Sequence, residues 1–214
     1  ERGERKASVE DLVARYHEAY TTEVDEVLKG TPNPNVWFAS GKYEGQADID
    51  RRRGIGEQQI RKYWDYYVNQ KPGEVIWVTP EGEPAIELGF SVMFGSVVVR
   101  GFIDQIIDIP IMRDIKTGNS PGGIFQLATY RYAILKEYGV DILKGDFWMG
   151  KTGRPTNAID LEGMTEDQVT ALYEEMDAGV KAEDFTPTPS DEKCGRCGVR
   201  EACPDDAQGE HRQP

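Results

Sequence analysis

The stretch from Val97 to Lys116, VVVRGFIDQIIDIPIMRDIK, decides the fold of this 214-residue chain. It is rich in Val, Ile and Phe, and Gly or Pro punctuates it, as is typical of short strands joined by tight turns. The same composition continues on the N-terminal side, and Gly95-Ser96 is placed to make the turn of a hairpin. The pattern predicts four consecutive strands, at 74–79, 85–94, 97–107 and 111–115.

Helical patterns lie on both sides of these strands. The apolar residues that follow Ser8 recur at helical spacing as far as Gly30, and Pro121-Gly122-Gly123 precedes another apolar helix that Gly139 ends. The predicted helices are 9–30, 54–69, 124–138 and 165–180, and a strand at 144–150 pairs with 156–160. This order predicts an α/β fold with a central mixed sheet flanked by helices.

Composition excludes several classes of protein. Mean hydropathy is −0.59, and no apolar run approaches the ~20 residues that a membrane span needs. Three cysteines are too few, and odd in number, for a secreted disulfide scaffold. These features predict an intracellular, cytoplasmic protein, of either cellular or viral origin. Because the chain starts at Glu1 rather than Met, its N-terminal region is expected to be incomplete.

The net charge of −13 argues at first against a nucleic-acid partner. However, residues 160–192 hold eleven acidic residues and one basic residue, Lys181, a net charge of −10. Subtracting that from −13 leaves −3 for the other 181 residues. A polyanion is therefore expected to avoid 160–192, and the rest of the surface stays open to it.

Two of the predicted strands deliver charged groups next to apolar residues. Asp104 lies late in the third strand, while Asp114 and Lys116 lie two residues apart on the fourth, and so on one face of it. If the strands pair, the two carboxylates approach one another, and Mg²⁺ or Mn²⁺ suits such oxygen ligands. The alternative is an ordinary surface ion pair between Asp114 and Lys116.

Three short motifs in this region resemble those of a known family: GFID at 101–104, DIKTG at 114–118 and QLATY at 126–130. Together they resemble the core motifs of the PD-(D/E)XK nucleases, in particular the RecB-like exonuclease branch. The resemblance extends from about Glu87 to Cys203. It implies a restriction-endonuclease-like core, preceded by a helical region and followed by a cysteine-containing tail. The domain division that we predict is 1–73, 74–185 and 186–214.

The resemblance also implies roles for individual residues. Asp104 and Asp114 match the metal-binding aspartates, and Lys116 matches the catalytic lysine. Gln126 and Tyr130 match a glutamine and a tyrosine that border the DNA channel, and their four-residue spacing places both on one helix face. Glu87 resembles a glutamate often found on the preceding strand.

The tail contains all three cysteines, Cys194, Cys197 and Cys203, at the spacing C-x₂-C-x₅-C. Thiolates at such spacing bind iron–sulfur clusters or zinc. Some RecB-like nucleases, including AddB and the iron–sulfur exonucleases of CRISPR adaptation, are similar at this end. That resemblance implies a [4Fe–4S] cluster. A Cys₃His zinc site completed by His211, or three free thiols, are the alternatives.

Two features of the family pattern have no match. The chain has no fourth cysteine, and it lacks an obvious counterpart of the family's histidine, for which His17 is a candidate without the usual preceding glycine. A missing N-terminal segment would account for both gaps.

The sequence thus predicts a Mg²⁺- or Mn²⁺-dependent DNA exonuclease that acts on DNA ends or single strands in recombination, repair or processing. The resemblance implies a helicase or recombination protein as a partner. The sequence predicts no association with a membrane. The alternative is a non-catalytic DNA-binding module, or a zinc-stabilised partner-binding module, on a decayed nuclease fold.

Overall fold

The computed structural model describes residues 7–37, 42–195, 197 and 203. Its elements, in chain order, are α1 (Val9–Gly30), a 3₁₀ turn (Pro34–Val36), α2 (Gly45–Asp65) continued by a π-helical segment (Tyr66–Gln70), β1 (Ile86–Phe94), β2 (Val97–Ile107), β3 (Ile111–Lys116), α3 (Ile124–Tyr138), β4 (Lys144–Met149), β5 (Arg154–Pro155), β6 (Ile159–Asp160), α4 (Glu166–Lys181) and α5 (Asp191–Cys194).

The strands form one mixed sheet of order β1-β2-β3-β4-β5, with β6 also pairing β4. β1, β2 and β3 make an antiparallel meander, and the turn at Gly95 has the left-handed backbone that a tight hairpin needs (φ 57°). α3 is the crossover from β3 to β4, which run parallel. The predicted mixed α/β fold is confirmed.

Two compact units divide the chain, one made of residues 1–16 and 55–178 and the other of 17–54 and 179–214. The first unit contains the whole sheet. Its apolar core combines β1 residues such as Phe90 and Phe94 with Leu127 and Ile134 of α3. In the second unit, Tyr20 donates a hydrogen bond to the Ile49 carbonyl (2.9 Å), and Asp48 forms ion pairs with Arg51 and Arg52.

Two predicted elements differ from those observed. The helix expected at 54–69 begins at Gly45, nine residues earlier, because residues 46–53 contain neither glycine nor proline and continue the helix across Gly54. The strand expected at 74–79 is wrong: only isolated bridges form there, from Ile76 to Ile107 and from Val78 to Pro84. Pro72 and Pro80 flank this short segment, and proline cannot donate to a ladder.

No helix among the described residues is long and apolar enough to cross a membrane.

Candidate active site

The strand β3 brings two charged residues, Asp114 and Lys116, to the end of the sheet where α3 begins. α3 starts after Gly123 and ends at Gly139, whose left-handed backbone (φ 69°) closes the helix as predicted. Gly122 allows the close approach, because a Cβ there would lie 2.7 Å from the Phe147 ring and 3.1 Å from Gln126 Oε1. The first turn of α3 is thereby held against β3 and β4.

Gln126 joins the two charged residues of β3. Its Nε2 donates to Asp114 Oδ1 at 2.6 Å and to the Tyr130 hydroxyl at 2.9 Å. Its Oε1 accepts from Lys116 Nζ at 3.0 Å. The Tyr130 hydroxyl also lies 3.5 Å from Asp114 Oδ1. The structure therefore brings together four of the residues that the motifs singled out.

The second oxygen of Asp114 is only partly satisfied. Lys116 Nζ lies 2.7 Å from Oδ2, yet it approaches from a direction that does not make a hydrogen bond, so the two form an ion pair only. Asp114 is 2% exposed, and Oδ2 is one of three buried side-chain atoms among the described residues that have no hydrogen-bond partner. Such an atom costs free energy unless a ligand or water completes it.

Burial raises the pKa of Asp114 above that of an ordinary aspartate. The positive charge of Lys116, 2.7 Å away, lowers this pKa, and the negative charge of Asp104 raises it further. Burial also raises the pKa of Tyr130 to about 12, so this residue keeps its proton at neutral pH.

Asp104 faces Asp114 from β2. The β2–β3 register pairs Gln105 with Arg113, and its continuation places Asp104 opposite Asp114. Asp104 Oδ2 accepts a hydrogen bond of 2.7 Å from the Ile115 amide. Two carboxylates from adjacent strands thus lie near each other, as the sequence predicted.

Glu87 lies at a gap in the β1–β2 ladder. Its neighbours Ile86 and Leu88 pair with Gln105 and Ile103, which places Glu87 opposite Asp104, although the two are not paired. The backbone of Glu87 is left-handed (φ 49°), which is uncommon for a residue with a side chain and typical of functional sites. Glu87 is exposed, and no group of three or more His, Cys, Asp or Glu side chains in the described part of the chain is placed to hold a metal ion.

The two aspartates fit a divalent cation, because they offer oxygen ligands and one buried oxygen has an ion-pair partner but no hydrogen-bond donor. Asp104 and Asp114 are the residues that would hold it. Such a cation would neutralise a phosphate and lower the pKa of a bound water.

The described cysteines and histidine belong to the second compact unit, whereas this centre belongs to the first. Cys194, Cys197 and Cys203 form no disulfide, and each is partly exposed. Among the described residues they are not part of a group of three metal-ligating side chains. His17 lies on α1 in the second compact unit, and His211 lies outside the described residues. The predicted cluster therefore stays a prediction.

The opposite face of β3 holds a charged network that the motifs did not reveal. Arg113 is 1% exposed and forms a two-pronged ion pair with Asp146 of β4, with Nε–Oδ1 2.7 Å and Nη2–Oδ2 2.8 Å. Its Nη1 donates to Glu74 at 2.8 Å and to the Tyr67 hydroxyl at 2.6 Å. An arginine inside an apolar strand was the available signal, but its partners are distant in sequence.

Comparison with known proteins identifies the family. The family model of the PD-(D/E)XK nuclease superfamily matches residues 6–204. The chain belongs to this superfamily. Relatives of this chain include the Gene 69 protein of Mycobacterium phage D29, 39% identical over 89% of this chain and 72% of the relative. The Gene 69 protein of Mycobacterium phage L5 is 36% identical over 94% of this chain and 78% of the relative.

One solved structure, that of SSO0001, is 18% identical, with a TM-score of 0.45 over 95% of this chain and 89% of that chain. This likeness is too remote to bear on function.

Proposed function

We propose that this PD-(D/E)XK protein is a metal-dependent DNA nuclease, and that it acts as an exonuclease on DNA ends or single strands. The observation that carries the proposal is the Asp114 carboxylate, which is buried beside a lysine with one oxygen held by Gln126 and the other left without a hydrogen bond. A carboxylate of this kind is suited to a cation.

Each residue of the site has a distinct part in this proposal. Asp104 and Asp114 hold the cation, which supplies the water activation and charge neutralisation. Lys116 is 27% exposed at its side chain, so its ammonium reaches the substrate while it stays beside Asp114. From there it orients the attacking water or stabilises the charge that builds on a phosphoryl oxygen. Gln126 fixes both Lys116 and Asp114, and Tyr130 fixes Gln126.

The exonuclease assignment and the RecB-like branch rest on the motif order GFID, DIKTG and QLATY. The same resemblance supports a role in DNA recombination, repair or processing inside the cell, with a helicase or recombination protein as partner. The relatives are encoded by phages, in keeping with a virus-encoded enzyme.

The cysteine tail is proposed to bind a [4Fe–4S] cluster, or zinc as the alternative, through Cys194, Cys197 and Cys203. The Cys197 amide donates to the Cys194 carbonyl (3.2 Å), so a turn joins these two cysteines. Anaerobic purification, followed by iron, sulfide and zinc analysis and a visible absorption spectrum, tests this assignment. Three free thiols with no bound metal would overturn it.

The deciding experiment incubates the full chain with end-labelled single-stranded and duplex DNA in Mg²⁺, Mn²⁺ or EDTA. Lys116→Ala and the conservative Lys116→Arg are run alongside, each checked for folding by circular dichroism. We expect cation-dependent cleavage that Lys116→Ala abolishes. A covalently closed circle as a second substrate separates the two modes, because an exonuclease leaves it intact.

Full activity of a folded Lys116→Ala variant would overturn the site assignment. DNA binding without cleavage in any cation would favour a non-catalytic DNA-binding module.

A further inference from the structure

A group of cations lies where β4 leaves the sheet. Lys62, Lys151 and Arg154, here called the basic cluster, are all exposed. Within the described part of the chain, none of the three has a carboxylate at ion-pair distance. The whole chain has 38 acidic residues against 25 basic ones. Cations that stay unpaired in so acidic a protein are suited to an anionic ligand.

The basic cluster is joined to the candidate active site through the backbone. β3 and β4 run parallel with Lys116 beside Met149, and the Gly150 amide donates to the Lys116 carbonyl at 2.8 Å. The turn that carries Lys151 therefore begins next to Lys116.

Contacts from α2 fix the position of the turn. Lys62 Nζ donates to the Lys151 carbonyl at 2.6 Å, and Gln59 Nε2 donates to the Thr117 carbonyl at 3.1 Å. Gly153 has a left-handed backbone (φ 69°), and a Cβ there would lie 2.6 Å from Lys62 Cβ. The stem of Lys62 thus packs directly on the turn, which holds the cluster in place before any ligand arrives.

The amines keep hydrogen-bonding capacity for a ligand. Lys151 Nζ donates to Asn119 Oδ1 at 3.0 Å, which uses one of its three N–H groups. Arg154 is exposed beside Lys151 and presents a guanidinium, which matches phosphate oxygens in geometry. The cluster therefore offers a lysine and an arginine for neighbouring phosphates.

We propose that the basic cluster binds the backbone phosphates of the DNA strand next to the phosphate that is cut, with Lys151 and Arg154 as positioning residues. This inference rests on the proposed nuclease function and adds the path of the strand, along the ends of β3 and β4. Phosphate contacts of this kind fix a strand without reading its sequence.

Salt dependence of binding tests the inference directly. Binding of labelled single-stranded DNA to the full chain is measured in EDTA, which prevents cleavage, over a range of KCl. Each lost phosphate contact reduces the slope of log K against log salt by about 0.7 for single strands. The double variant Lys151→Ala/Arg154→Ala should therefore lower the slope by about 1.4, and its KM should rise at least ~10-fold while kcat stays within ~2-fold.

Lys144→Ala is the matched control, because Lys144 is an exposed lysine at the other end of the same strand. There it lies opposite Asp160 in the β4–β6 ladder. The Lys144→Ala variant should leave the slope of log K against log salt, and the KM, unchanged. Lys151→Arg should keep most of the wild-type slope because it keeps the charge, whereas Lys151→Ala should lower the slope by about 0.7.

A double variant that matches Lys144→Ala in slope and KM, while the wild type binds and cleaves DNA, would overturn this inference alone. A wild type that binds DNA with a slope dependent on the cluster, yet never cleaves it, would support the cluster and overturn the nuclease function. A wild type that neither binds nor cleaves DNA would overturn both.

Discussion

Arg113 and Asp114 are neighbours on β3 with nearly the same exposure, 1% and 2%. They differ in how completely their polar side-chain atoms are hydrogen-bonded. On one face, the guanidinium of Arg113 is met by Asp146, Glu74 and the Tyr67 hydroxyl. On the other face, Asp114 keeps a buried oxygen without a hydrogen bond. A satisfied buried charge holds the strands in register, whereas a partly satisfied one is destabilising and is retained for a ligand.

The largest effect should come from breaking the satisfied face. Arg113→Met leaves Asp146 and Glu74 without their cation, and such changes cost about 3–5 kcal/mol of unfolding free energy. Urea denaturation measures the loss. The control is Arg61→Met, at an exposed ion pair with Glu10 and Glu57, which should unfold close to the wild type. Equal stability of the two variants would contradict the role given to the Arg113 network.

Divalent cations should stabilise the folded protein by binding at Asp104 and Asp114, on the other face. Mg²⁺ or Mn²⁺ at ~100 times its dissociation constant should add about 2.7 kcal/mol, because it binds the folded chain only. Thermal unfolding with and without the cation measures the gain. Asp104→Asn and Asp114→Asn should each abolish most of it, whereas Asp108→Asn, at an exposed aspartate just beyond Asp104, should not. An undiminished gain in both site variants would place the cation elsewhere.

The pH dependence of stability should reveal the strain on Asp114. Because its pKa is raised in the folded chain, the folded state binds more protons than the unfolded state above the ordinary value of 3.8. Stability from this residue is therefore lost as pH rises through the raised pKa, by at most about 1.4 kcal/mol per pH unit. Urea midpoints in EDTA from pH 4 to 8 should fall less steeply for Asp114→Asn than for the wild type. Parallel curves would count against the raised pKa.

The smallest effect should follow from removing one hydroxyl. Tyr130→Phe loses the hydrogen bond from Gln126 but keeps its ring against Phe90, with centroids 6.0 Å apart. We expect a fall in kcat of less than ~10-fold and a stability loss near 1 kcal/mol. Gln126→Ala should lose more activity, because Lys116 and Asp114 both depend on Gln126. The reverse order, measured by single-turnover cleavage, would show that Tyr130 acts directly on the substrate.

Much of this architecture could be predicted from local patterns. β2 and α3 occur at the expected residues, because apolar composition and terminal glycines define them locally. The motifs also singled out Asp114, Lys116, Gln126 and Tyr130, which lie together in the structure, while their functional role stays a prediction. The early start of α2 and the absent strand at 74–79 were missed, because propensity does not determine where an element pairs.

The Arg113 network could not be predicted for a different reason. Its members, Glu74, Arg113 and Asp146, come from segments that only the finished sheet brings together. Nothing in the spacing of these residues connects them. Long-range charge pairing of this kind requires the three-dimensional structure, whereas the Gln126–Tyr130 pair follows from helix geometry alone.

The parallel pairing of β3 with β4 has a consequence for synthesis of the protein. A nascent chain that has reached Tyr130 already holds Asp104, Asp114, Lys116 and Gln126. It still lacks Asp146, so Arg113 would be buried without its main counter-ion, and β3 has no neighbour on one side. The parallel neighbour of β3 is therefore complete only after Met149 has left the ribosome, so the sheet that positions Asp114 and Lys116 forms late in synthesis.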